Sequence, residues 1–223
     1  MRHVLAAINS DPCAQPVLDT ASALARLFDA TAVALHVREP GIGSPEGLTE
    51  AAGVELREVS GPPIVQIVAA AKEPDIVGLA LGARRAPGGA QPGGHTALQV
   101  ITQVAKPVAI VRPHARPPER FARLLVPLEG TTESSEALDH TIRLAHRREL
   151  EIMVLHVHSP STVPAFSDHE PHATQAWDQE FLARNVAVPH EDVRLLRHLG
   201  AAADNVLDIA EEVAADLIIL AWS

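Results

Sequence analysis

The run Val4-Leu5-Ala6-Ala7-Ile8, with Asn9 behind it, returns 120 residues later as Leu124-Leu125-Val126-Pro127-Leu128, with Glu129 behind it. A short aliphatic run without polar alternation reads as a strand buried on both faces, and such strands belong to parallel sheets. The same offset carries Leu18-Asp19 onto Leu138-Asp139, Leu24-Ala25 onto Leu144-Ala145 and Leu35-His36-Val37 onto Leu155-His156-Val157. After a gap, Val54 to Gly61 corresponds to Val193 to Gly200, and Asp75-Ile76-Val77 to Asp216-Leu217-Ile218. Chance supplies a few Leu and Ala pairs but not one order of elements twice, so the chain is an internal duplication.

Each copy has the same grammar. The first strand leads through a polar turn into a helix with apolar residues at Val17, Leu18, Ala21, Leu24, Ala25 and Phe28. Second strands follow at Thr31–Val37 and Glu151–Val157, then a variable stretch, a third strand, and helices at Pro63–Lys72 and Ala203–Ala214. Fourth strands are expected at Ile76–Leu81 and Leu217–Ala221. The first copy alone continues, with a glycine-rich loop, a helix near Thr96–Val104 and a last strand at Val108–Val111. Strands alternating with helices predict an α/β protein with doubly wound parallel sheets and ligands at the carboxyl ends of the strands. The expected domains are 1–113 and 121–223, with a proline-rich linker at 114–120.

In the second copy the piece equivalent to Gly82–Pro113 is absent, so its sheet is expected to lack the last helix and strand. An apolar strand left at a sheet edge is an aggregation template. The sequence therefore predicts either a longer biological chain or a strand from another molecule over Leu217–Leu220.

Composition narrows the function. The 223 residues carry 18 Lys+Arg against 28 Asp+Glu, a formal charge of −10, with no Tyr, two Trp and four Phe. Nucleic acid and anionic membrane are poor partners for such a chain, since both need a cationic face. One cysteine, Cys13, excludes an internal disulfide and any Cys-rich metal site. The apolar start is too short for a secretory or spanning segment, so a cytoplasmic address is expected.

These residues and their order resemble the universal stress protein family in its tandem form. That family's first strand ends in Asp-Gly-Ser, its second near Leu-His-Val, and its fourth runs into Gly-x2-Gly-x9-Gly-[Ser/Thr] before a helix and Pro-Val. The resemblance implies Rossmann-like domains of the adenine nucleotide alpha hydrolase type, a stress-response role, ATP as a ligand and assembly into homo-oligomers, the two halves forming an intramolecular pseudo-dimer. It places Asn9 at the adenine position of the first copy and Glu129 at that of the second, with Val37 at the adenosine. Gly82, Arg85, Gly94, His95 and Thr96 fall on the phosphate motif. Arg85 stands at the middle glycine, the spacer is one residue short, and His95 takes the Ser/Thr position. Physically, glycines let backbone approach phosphate oxygens, and free N–H groups at a helix start favour anions. Arg84 and Arg85 either replace lost backbone contacts with charge or sit in a turn-forming surface loop. Asn9 and Glu129 either face an adenine or cap the local turn or following helix.

Three functions follow as expectations. One is a non-catalytic regulatory or binding module with a degenerate ATP motif; another is an adenine-nucleotide binder using the first-copy loop. The third, a metal-dependent enzyme on His156, His158, Asp168 and His172, matches no compact zinc spacing. Trp177, Phe181 and Leu182 have helical spacing and are expected to pack a helix onto the sheet. No Gly-x-Ser-x-Gly elbow and no Walker A sequence occurs.

Overall fold

The computed structural model describes residues 1–10, 14–38, 41, 43–83, 95–158 and 171–221, with the side chains of 171–175 and 204 left out. The chain divides into two compact units, 1–120 and 121–223. In the first, strands β1 (His3–Ile8), β2 (Thr31–Arg38), β3 (Glu55–Ser60), β4 (Ile76–Gly82) and β5 (Val108–Val111) form one sheet in the order β3-β2-β1-β4-β5. All four ladders are parallel. The helices are α1 (Gln15–Leu27), α2 (Glu46–Ala52), α3 (Pro63–Ala71) and α4 (His95–Ile101).

Central β1 is sealed on both faces, with Val4, Leu5 and Ala6 fully buried. On one face α1 presents Val17, Leu18, Ala21, Leu24 and Ala25, the stripe its apolar spacing foretells. It comes close because β4 has glycine beneath it: a Cβ on Gly78 would lie 3.1 Å from the Phe28 ring. On the other face Leu5, Val33, Leu35, Leu79 and Leu81 pack against Ile67 and Val68 of α3 and Ala97 and Val100 of α4. Fully burying one such side chain is worth about 1.5–3 kcal/mol.

The second unit repeats the plan with β6 (Arg123–Pro127), β7 (Glu151–His158), β8 (Val193–Leu199) and β9 (Leu217–Ile218), ordered β8-β7-β6-β9 and again parallel. Its helices are α5 (Thr132–His146), α6 (Pro171–Asn185) and α7 (Ala202–Glu212). The copies agree in small details. Gly61 and Gly200 enter α3 and α7 at φ +129° and +133°, and a Cβ there would meet Gln66 at 2.8 Å and Asn205 at 2.9 Å. Only glycine is comfortable at that backbone angle.

Several expectations are corrected. The variable stretch contains α2, ended by Gly53 in the left-handed conformation. Helix α4 stops at Ile101, where the Gln103 N–H donates to the Val100 carbonyl instead. The first turn of α5 carries Glu133, and its cap is the Thr131 hydroxyl, accepting from Ser134 N–H at 3.2 Å. Glu129 therefore does not cap that helix; the N-cap of α1 is Ala14, with no side-chain bond. The stretch expected as a linker is tied down in part, since Arg26 donates to the Glu119 carbonyl at 2.7 Å. Strand β9 is two residues long rather than five. A β-bulge beside His3 and Val4 shifts β4, so Gly78 and Leu79 lie opposite Val4 and Leu5 as Leu217 and Ile218 lie opposite Leu124 and Leu125. No described helix is long and apolar enough to cross a membrane.

The aligned aspartates do different work. Asp75 faces His3 at 3.8 Å, whereas the Asp216 carboxylate accepts from the backbone N–H groups of Ala122 and Arg123 at 2.7 and 2.9 Å. That pins the entry of β6 to β9. Asp216→Ala strands two donors and is expected to cost about 1–3 kcal/mol, with Asp216→Asn recovering part. Denaturant midpoints of the three proteins check this, and an unshifted Asp216→Ala midpoint contradicts it.

Candidate functional site

In each sheet the chain leaves the central strand in one direction and later returns on its other side. The reversal lies between β1 and β4 in the first unit and between β6 and β9 in the second. Crossovers diverge there, leaving a crevice outside the carboxyl ends of the strands. Asn9 follows β1 directly and is half-buried; Gly82 ends β4 one step beyond the Ala7–Leu81 pair. Val37 lies near the end of β2, 9% exposed. Three of the expected residues thus reach one edge of one sheet. His95 and Thr96 form the exposed start of α4. Arg84, Arg85, Gly94 and Cys13 lie outside the described residues.

The edge is held by a side chain. His36, 1% exposed, donates from Nδ1 to the Ile8 carbonyl at 3.2 Å. This fastens the end of β2 to the end of β1 next to Asn9. A carbonyl only accepts, so the proton sits on Nδ1 and Nε2 is left buried without a partner among the described residues. The second unit repeats the bond 120 residues on: His156 Nδ1 donates to the Leu128 carbonyl at 2.8 Å. Both histidines thus act at the end of a strand. Glu129, one residue past that carbonyl, is exposed, and Gly130 at φ +85° turns the chain into α5.

Beyond this bond the units differ. His156 and His158 share a face of β7, as their spacing requires, but meet ring to ring, T-shaped at 4.5 Å. Phe181 of α6 lies 4.5 Å from His156 and stacks with Trp177 at 4.9 Å. Trp177 is 5.2 Å from His158, so α6 docks by its aromatic stripe as its spacing foretells. Sequence reading missed two members, Arg197 and Asp178. Arg197 sits over the Trp177 ring at 5.6 Å and pairs with Asp178 at 2.8 Å. The signal was present: Arg197 is the β8 partner of His156 in register, but register is invisible before the sheet is built. Burial pushes the Asp178 carboxyl above its ordinary value of 3.8, and the Arg197 charge pulls against that.

Among the described residues no three His, Cys, Asp or Glu side chains gather as a metal site would need. Asp168, with its neighbours His169 and Glu170, lies outside the described residues. His172 belongs to the first turn of α6.

The model of the universal stress protein family matches residues 120–223. Across 98% of the chain the fold is similar to the crystal structure of a universal stress protein from Archaeoglobus fulgidus DSM 4304, at 18% identity, TM-score 0.68 and 86% of that protein's length. A functionally unknown Pseudomonas aeruginosa protein is similar over 99% of this chain and 81% of its own, at 14% identity and TM-score 0.65. A universal stress protein from Archaeoglobus fulgidus, solved in complex with dAMP, matches half of this chain and 97% of its own at 24% identity, but its TM-score of 0.37 is too low to carry its ligand across. No curated protein sequence matches.

The raised Asp178 carboxyl has a testable consequence. A group that holds its proton more tightly when folded contributes most in acid, and that contribution is lost as pH rises from 3.8 through the folded value. Asp178→Asn removes the dependence, so the variant's stability relative to wild type should climb with pH across that window. Denaturation of both proteins from about pH 4 to about pH 7 checks the slope; a flat or falling difference contradicts it.

Proposed function

We propose that the chain is a stress-response regulatory module of the universal stress protein type, a binding protein rather than a catalyst, with a weakened adenine-nucleotide site in its first unit. The observation that carries this reading is the polar group beside each chain reversal. Asn9 offers a neutral amide where the resembled family places a carboxylate, and Glu129 is an exposed, longer acid at the matching place. An amide accepts from an adenine amino group without the charge assistance that makes such bonds about twice as strong. A glycine at position 82 leaves room at the β4 side, with Val17 of α1 at ordinary contact distance behind it. Arg85, Gly94, His95 and Thr96 would face the phosphates, with cationic side chains substituting for glycine backbone. The His36 bond to Ile8 supports a site that is pre-shaped rather than formed on binding.

Titration calorimetry with ATP and magnesium ions tests the reading. Binding is expected in the millimolar range with no phosphate released on prolonged incubation. Asn9→Asp is expected to tighten binding about three- to tenfold by restoring the charged acceptor. Sub-micromolar affinity of the unaltered chain, or steady ATP hydrolysis, would sink it; so would the absence of heat from both proteins.

A second reading, a scaffold that has lost nucleotide binding and acts by association, is favoured by the exposed Glu129, which meets no described partner. It predicts no heat from either protein and self-association at micromolar concentration.

A further inference from the structure

Charge is unevenly placed in the first unit. Residues 1–120 hold 11 Lys or Arg and 11 Asp or Glu, yet none of those acids falls among residues 76–118. In a chain of formal charge −10, that stretch carries five Lys or Arg together with His95 and His114. It supplies β4, α4, β5 and the proline-rich strap that follows β5. The β4–β5 side of the sheet is therefore its cationic side.

The strap leaves β5 at the edge where the chain reverses. Ala7, Leu81 and Ile110 are in register across β1, β4 and β5, so Asn9 and Arg112, each two residues further on, stand at one level. Two strand spacings, about 10 Å, separate them. Gly82 pairs with Val111, whose carbonyl accepts from Ala83 N–H at 2.7 Å. Ala115 N–H then donates to the Arg112 carbonyl at 3.0 Å, closing a turn with Pro113 inside it. Arg112, His114 and Arg116 are exposed, while Pro113, Ala115 and Pro117 between and after them are half-buried. Each arginine precedes a proline, which biases its own backbone to extended forms, so the strap is stiff. The nearby acid, Glu119, faces Arg26 at 3.5 Å; Arg112 and Arg116 enter no ion pair among the described residues.

We propose that Arg112, His114 and Arg116 form an anion-binding strap that takes an oligophosphate chain at the carboxyl edge beside Gly82, either the terminal phosphates of a nucleotide or a free inorganic oligophosphate. A guanidinium fork matches phosphate oxygens two at a time, and a stiff backbone lowers the cost of ordering the arginines on binding. The strap makes the site select by phosphate number, since a single phosphate held near Asn9 leaves the arginines unused. The inference rests on the nucleotide reading for where an adenine lies, and on the strap's own chemistry for the phosphates.

Phosphorus NMR of the full chain tests this, with AMP, ATP and inorganic triphosphate as probes. The resonances of inorganic triphosphate and of the terminal phosphate of ATP should broaden on titration, and that of AMP far less. The double change Arg112→Ala/Arg116→Ala should weaken both oligophosphates about tenfold or more, the loss expected when charge-assisted bonds are removed. Lys72→Ala, which removes an exposed charge just ahead of β4 at the opposite edge, should leave both unchanged. All three residues are exposed, and unchanged circular dichroism confirms that the variants fold. Equal binding of ATP and triphosphate, both lost with the arginines, removes the adenine site and leaves the strap with a free oligophosphate as its ligand. ATP binding that the double variant keeps overturns the strap and leaves the nucleotide reading intact. No saturation by either probe at roughly ten millimolar, or an equal loss in Lys72→Ala, overturns the proposal.

Discussion

Everything in this molecule depends on central strands that must be hidden on both faces. Val4, Leu5 and Ala6 in β1 and Leu124, Leu125 and Val126 in β6 have almost no exposed surface. A strand of that kind needs parallel neighbours and helices above and below, because only crossover connections bring cover to both sides. Once the order β3-β2-β1-β4-β5 is imposed, helices occupy both faces and the chain reverses direction at the carboxyl edge between β1 and β4. The His36 and His156 bonds to the preceding strand's last carbonyl act at that edge in both units. They tie two strand ends together where a loop would otherwise pull them apart.

The two units share this frame and differ at their surfaces. The first unit carries Asn9 and Gly82 at its reversal point and has its apolar face closed by α4 and β5. The second carries the exposed Glu129 and an aromatic interlock of His156, His158, Trp177 and Phe181 under α6. That interlock occupies histidines which, read as letters, suggested a metal. The imidazoles pack T-shaped with ring centroids 4.5 Å apart, while Asp178, the acid beside them, answers Arg197. One half is electrically balanced and the other carries all the excess acid, although their backbones follow one plan.

Much of the fold was legible because it rests on local rules. Aliphatic runs without alternation gave the parallel strands, and the last strand of the first unit, Val108–Val111, falls where the sequence places it. The α1 stripe and the aromatic docking of α6 follow from helical period alone. The candidate site was legible only in part. Asn9, Val37 and Gly82 could be placed because they end strands, but Arg197 and Asp178 became visible only when β8 took its register against β7.

The amino-acid order by itself determined the repeated spacing of the two halves, the parallel α/β class and which residues end the strands. Those features follow from periodicity and repeated spacing, which need no long-range information. Tertiary structure alone decided which aspartate anchors a strand, where the bulge in β4 restores register, and which leucines remain bare. Each of these is settled by what lies opposite a residue in space, and identical short sequences meet different neighbours in the two units.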